Sequence, residues 1–90
     1  MKLYTHAKFE KDYELMEKRG KNLSKLDAAI DKVLNECQPL PNTPPYRDHM
    51  LSGYRGVHDA HIEPDWILLY KIQNETLELI RTGTHSDLNL

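Results

Sequence analysis

Four prolines in quick succession, Pro39, Pro41, Pro44 and Pro45, constrain this chain more than any other feature. Each lacks a backbone donor and restricts the residue before it, so neither a regular helix nor a central strand can run through them. A proline-rich stretch can link domains or dock on an SH3-type module, but neither flank of a 90-residue chain is long enough to build a core alone. Residues 1–90 are therefore expected to form one domain, in which this segment is a loop joining helices to a sheet.

Before the prolines the apolar period is helical. Phe9, Tyr13 and Met16 recur on one face of a helix that Gly20 can stop, and Lys2–Thr5 can form a short strand ahead of it. Leu23, Leu26, Ile30, Val33, Leu34 and Cys37 make a second stripe, opened by Ser24 and Asp27 at the spacing of a capping box. After the prolines the period becomes two. Tyr54–His61, Trp66–Ile72 and Leu77–Thr84 read as strands of an antiparallel meander, separated by Glu63-Pro64 and Asn74-Glu75. The unbroken run from Ile67 to Tyr70 marks the middle strand as covered on both faces, one of them by the helices. The expected architecture is α+β, an antiparallel sheet of three to four strands packed against an N-terminal pair of helices.

Composition narrows the function classes. Cys37 is the only cysteine, which excludes an internal disulfide and a multi-cysteine metal site and fits a reducing cytoplasm. No apolar run approaches the roughly 18 residues of a membrane span, and Met1–Tyr4 leads into charged sequence rather than a secretory stretch. A cytoplasmic protein with no membrane association is expected. The net charge of −2 argues against a surface devoted throughout to nucleic acid, but leaves room for a basic patch. Residues 1–32 hold eight Lys or Arg against six Asp or Glu; residues 33–90 hold four against eight, with four of the five histidines. The basic surface and the histidine-rich surface come from different segments.

Strand pairing brings some of those histidines together. With Glu63-Pro64 at a hairpin tip, His61 pairs with Trp66 and Asp59 with Leu68, and opposed residues share a sheet face. With Asn74-Glu75 at the next tip, Leu68 pairs with Arg81, which joins His61 and Trp66 on that face. Asp65 reaches the same rim from the hairpin corner, and His85 continues the parity of Arg81. A one-residue error in either turn would send side chains to the opposite face. Such a set suits phosphodiester cleavage in RNA, which needs a base for the 2′-hydroxyl, an acid for the leaving 5′-oxygen and a cation for the phosphate. Histidine can take either proton role and arginine can hold phosphate oxygens bidentately. Trp66 could stack a nucleobase or fill a core, and Arg81 could serve phosphate or pair structurally with Asp59. His58 falls on the face opposite His61, so the two do not make a metal site, and neither metal nor cofactor is expected.

The segments Asp48-His49-Met50-Leu51-Ser52-Gly53, Arg55 through Tyr70, and Arg81-Thr82-Gly83-Thr84-His85 closely resemble the YafQ toxins, a branch of the RelE superfamily. The lysine-rich helices and the Pro39-Leu40-Pro41 loop are similar as well, so the resemblance covers nearly the whole chain and is strongest over residues 46–85. It implies the toxin of a type II toxin–antitoxin pair, a metal-independent endoribonuclease that cuts messenger RNA in the ribosomal decoding site and so inhibits translation. Matching positions nominate His49, His61, Asp65, Trp66, Arg81 and His85, with His85 as general acid, Arg81 as phosphate stabiliser, and His49, His61 and Asp65 competing for the base. Lys8, Lys11, Lys18 and Lys25 are the cations expected to grip ribosomal RNA. Asn89 departs from the family pattern, which often has an aromatic residue there; Leu88 or Leu90 could supply an apolar contact without a ring.

The resemblance also implies a cognate antitoxin, and the basic helices at 7–36 offer it a complementary surface. Two other readings stand beside the nuclease. One is a non-nuclease toxin similar to the ParE branch, which binds DNA gyrase and has no use for proton donors and acceptors at these positions. The other is an RNA-binding relative that has lost turnover.

Overall fold

The computed structural model describes residues 1–90. In chain order it has β1 (Lys2–Thr5), α1 (Ala7–Lys18), α2 (Leu23–Glu36), β2 (His49–Met50), β3 (His58–Glu63), β4 (Trp66–Gln73), β5 (Thr76–Gly83) and α3 (His85–Leu88). The α+β class and the β3–β4–β5 antiparallel meander agree with expectation. The sheet does not: it has five strands rather than three to four, in the order β1-β5-β4-β3-β2, and it is mixed. β1 runs parallel to β5, with Leu3 opposite Leu77, because the chain leaves β1 through two helices and reaches β5 only after the whole meander. β2 is two residues long, too short for an alternation to register in the sequence.

The helical pair forms where the stripes require. Phe9 and Met16 of α1 and Leu26, Ala29, Ile30 and Val33 of α2 are buried against Ala60, Trp66, Leu68, Tyr70, Leu77 and Leu79 of the sheet. Gly20, just past the C-cap Arg19, takes the left-handed conformation that ends α1, at φ +75°. The cap of α2 is Asn22 rather than Ser24: its side chain accepts from the Ser24 backbone N–H at 3.1 Å. Asp27 is thereby free to accept the Tyr13 hydroxyl at 2.9 Å, which ties the two helices together.

β4 is the central strand, and its residues from Trp66 to Tyr70 are all buried. The proline loop is fastened to it by a buried polar cluster. Tyr70 donates its hydroxyl to Asp48 Oδ2, and the Leu40 backbone N–H donates to the Tyr70 oxygen at 2.9 Å. His58 Nδ1 lies 2.7 Å from Asp48 Oδ1, with its ring stacked on Tyr70. Burial and the Asp48 carboxylate hold the Tyr70 hydroxyl above its ordinary range, so it acts as a donor. His58 thus has a structural role on the core side of the sheet.

Candidate active site

Two β-bulges decide which side chains meet. The first hairpin turns at Pro64-Asp65, with Glu63 opposite Trp66, and Ile62 is an extra residue, so His61 comes to pair with Ile67 and Asp59 with Leu69. His61 N–H donates to the Tyr46 carbonyl of the proline loop at 2.7 Å, which holds the bulged strand. The second hairpin turns at Asn74-Glu75 as expected, both residues having positive φ. Ile72 pairs with Leu77, but Ile80 is then inserted and Arg81 pairs with Leu69. Each bulge shifts the parity by one. His61 and Arg81 therefore move together to the face opposite the helices, and Trp66 stays behind in the core.

On that face the polar groups form a chain. Asp59 of β3 is only 6% exposed, and its Oδ1 is buried with no hydrogen-bond partner. His49 Nε2, from the opposed position on β2, lies 3.7 Å from Asp59 Oδ2, and His61 Nε2 lies 3.8 Å from Asp59 Oδ1. Next along is His85, whose ring meets His61 edge-on with centroids 5.7 Å apart. Asp65 Oδ1 accepts from the His85 backbone N–H at 2.9 Å and faces its Nδ1 at 2.5 Å. Those two contacts, the backbone one first, hold the Asp65 carboxyl below the usual carboxylate range, so it stays ionised and fixes the ring. With Nδ1 occupied and 43% of the side chain exposed, His85 presents Nε2 outward.

Arg81 is braced from α1 and His85 from the C-cap of that helix, Arg19. Asp12 accepts Arg81 Nε at 2.6 Å and Nη2 at 3.2 Å, and also accepts the Thr82 backbone N–H at 3.2 Å. That fork, rather than the Asp59 pairing considered from sequence, holds the guanidinium and raises it further above its ordinary range. His85 opens α3, which is capped by Thr84 and Asp87 in a reciprocal box. Arg19 clamps Asp87 through two bonds of 2.6 and 3.1 Å, and Gly83 makes room, since a Cβ there would come within 3.0 Å of the Asp87 Cβ. The Arg19 bond first, then the Thr84 backbone N–H, keep the Asp87 carboxyl far below the usual range.

Of the nominated residues, His49, His61, Asp65, Arg81 and His85 lie on or at the rim of this face. Trp66 does not. It is fully buried, its Nε1 donates to Thr82 Oγ1 at 2.9 Å, and it has no face to offer a base. Among the lysines, Lys8, Lys11 and Lys18 are exposed on α1, whereas Lys25 is engaged with Glu63 at 3.0 Å, alongside Lys21 at 3.3 Å. Asn89 is the left-handed C-cap of α3. Asp59 and Asp12 went unnominated: strand parity puts Asp59 on the face of His61 and Arg81, where it reads as a structural partner for Arg81, and Asp12 reads as an ordinary helix-surface carboxylate.

Comparison with known proteins follows the same line. The whole chain, residues 1–90, matches the family model described as "Bacterial toxin of type II toxin-antitoxin system, YafQ". It is 45% identical over 83 residues to the mRNA interferase toxin YafQ of Escherichia coli strain B, covering 91% of this chain and 88% of that protein. The fold superposes on the E. coli DinJ–YafQ toxin–antitoxin complex with a TM-score of 0.86 at 41% identity, over 96% of this chain and 93% of that one. A metal-bound toxin from Helicobacter pylori gives a TM-score of 0.85 at 35% identity, over 98% of both chains. In the present chain no three His, Cys, Asp or Glu side chains are grouped so as to hold a metal ion.

Proposed function

The chain belongs to the YafQ family of bacterial toxins of type II toxin–antitoxin systems, and from that premise we propose that it cleaves messenger RNA on the ribosome by the acid–base chemistry of the His49–Asp59–His61–His85–Asp65 chain. The observation that carries the reading is the opposed pair of histidine environments. His85 is anchored through Nδ1 to an exposed, ionised carboxylate, while His49 and His61 flank a buried one. Titratable groups set apart in this way are what a reaction with one proton leaving and one arriving requires.

In that reaction a base takes the proton of the 2′-hydroxyl, and the 2′-oxygen forms a bond to the adjacent phosphorus. The bond to the 5′-oxygen breaks, and an acid delivers a proton to that oxygen. His85 is the acid: Asp65 engages its Nδ1 and leaves Nε2–H for the leaving group. Asp65 is spoken for by His85, which leaves His49 or His61 as the base, with Asp59 stabilising the imidazolium that forms. Arg81 keeps Nη1 free while Asp12 holds Nε and Nη2, so its charge is aimed rather than mobile at the phosphate. Exposed Lys8, Lys11 and Lys18 are suited to contacts with ribosomal RNA.

The cognate antitoxin is the partner this family implies, and its DinJ counterpart is bound in the superposed E. coli complex. The basic surface expected to receive it is partly neutralised within the chain, since Arg19, Lys21, Lys25 and Lys32 all have internal carboxylate partners.

The test is a bacterial cell-free translation reaction with message breaks mapped by primer extension, run beside His85→Ala and beside naked RNA. Breaks within codons that need ribosomes and vanish in His85→Ala are expected. Intact message with undisturbed translation would sink the proposal and turn attention to gyrase binding.

A further inference from the structure

The face that carries the histidine chain also carries a cavity of about 550 Å³, within the size range of clefts that hold small ligands. Leu51, Val57, Leu69, Ile80, Leu88 and Leu90 give it an apolar lining. Two cations, Lys8 and Arg81, and the ring of Tyr54 join it, with His6 and Ala7 at its edge. Lys8 makes no internal ion pair, and Tyr54 is 60% exposed, a large aromatic ring left in water on a tight loop. The cavity is continuous with the site, because Leu69 lies between Asp59 and Arg81 across the sheet, and Leu51 and Val57, two residues from His49 and Asp59, are joined just past the ends of β2 and β3 by the Leu51 N–H to Val57 carbonyl bond at 2.8 Å.

We infer that this cavity is a nucleobase subsite, in which Tyr54 stacks the base of the nucleotide adjoining the scissile phosphate and so sets which messages are cut. The inference rests on the nuclease reading and names the substrate contact within it. An apolar lining beside the exposed Tyr54 ring suits the flat face of a base, and stacking is favourable for every base because each has a π-face. The cations choose the ligand class: a nucleotide brings a phosphate with its base, so Lys8 and the free Nη1 of Arg81 meet a charge, where an apolar peptide would leave Lys8 desolvated without a partner. Stacking strength rather than hydrogen-bond readout then dictates the preference, which favours the larger purines.

Ribosomes carrying a defined message, with the decoding-site codon varied one base at a time, provide the test. Single-turnover cleavage is followed against toxin concentration for the unmodified chain, Tyr54→Ala and Tyr54→Trp, with His85→Ala as the inactive reference. Tyr54→Ala is expected to raise the half-saturating concentration by about 5- to 150-fold, the loss of one stacked base, and to flatten discrimination between codons. Its rate at saturation should fall much less, and Tyr54→Trp should restore both affinity and discrimination. Tyr54 is a surface residue, so a folding defect is not expected, and thermal unfolding checks it. An unchanged cleavage map and concentration dependence in Tyr54→Ala overturns the inference while leaving the nuclease reading intact. A uniform loss over all codons with discrimination preserved also overturns it, placing Tyr54 on the ribosome instead of the message. No cleavage by the unmodified chain removes the reading beneath it.

Discussion

Replacing Trp66 by phenylalanine separates a core role from a substrate role. The indole is completely buried and its Nε1–H is donated to Thr82 Oγ1 at 2.9 Å, while the Thr82 hydroxyl is itself donated to the Ile67 carbonyl at 2.8 Å. Phenylalanine keeps a ring beneath Lys21, whose Nζ sits 5.8 Å from the indole centroid, but it removes the donor and the second ring. Leaving a buried acceptor unsatisfied costs about 1–2 kcal/mol, and the void left by the missing atoms costs about as much again, for a total of roughly 2–4 kcal/mol. A domain of this size has only about 5–13 kcal/mol of stability, and each kcal/mol shifts the melting temperature by about 4–8 °C, so a fall of roughly 8–30 °C is expected. Thermal and urea unfolding followed by circular dichroism measure this, with the urea midpoint moving and its slope constant. Message cleavage, measured well below the midpoint and corrected for folded fraction, should stay within about twofold of the unmodified chain. Unchanged stability with cleavage reduced about tenfold or more would refute the reasoning and return Trp66 to the substrate.

Asp65→Asn removes the charge that anchors His85 at both its backbone and its ring, and single-turnover cleavage should drop about 10²–10³-fold while the melting temperature, at neutral pH, falls only slightly. Arg81→Lys keeps the charge but not the planar fork that Asp12 holds, so its cleavage rate should fall nearly as far as that of Arg81→Ala, checked in the same assay. Asp87, Glu63 and Asp65 all have carboxyl groups held below their ordinary range in the fold. Their stabilisation is complete above the unfolded carboxylate pKa of about 4 and is lost as the pH falls through the lower folded values. Urea midpoints should therefore decline from about pH 5 downward, and Arg19→Ala, which releases Asp87, should make that decline shallower.

What the sequence determined by itself was periodicity and chemistry. The helical stripes ending at Gly20 and before the prolines, the meander, the central strand at Ile67–Tyr70 and the Asn74-Glu75 turn all follow from local spacing and turn geometry, which act over a few residues. The family resemblance supplied His49, which no parity argument reached. Tertiary structure alone decided which side chains meet. A bulge forms where a strand gains contacts that regular pairing would forgo: at β3 the gain includes the bond from His61 to the Tyr46 carbonyl, made by a loop that ends its prolines elsewhere in the chain. Because a sheet has a period of two, each inserted residue reverses every assignment beyond it. The two insertions moved His61 and Arg81 together, which preserved their convergence while sending Trp66 inward and bringing Asp59 between two histidines. Arg81 found its carboxylate 69 residues away on α1, a distance over which no local pattern carries information.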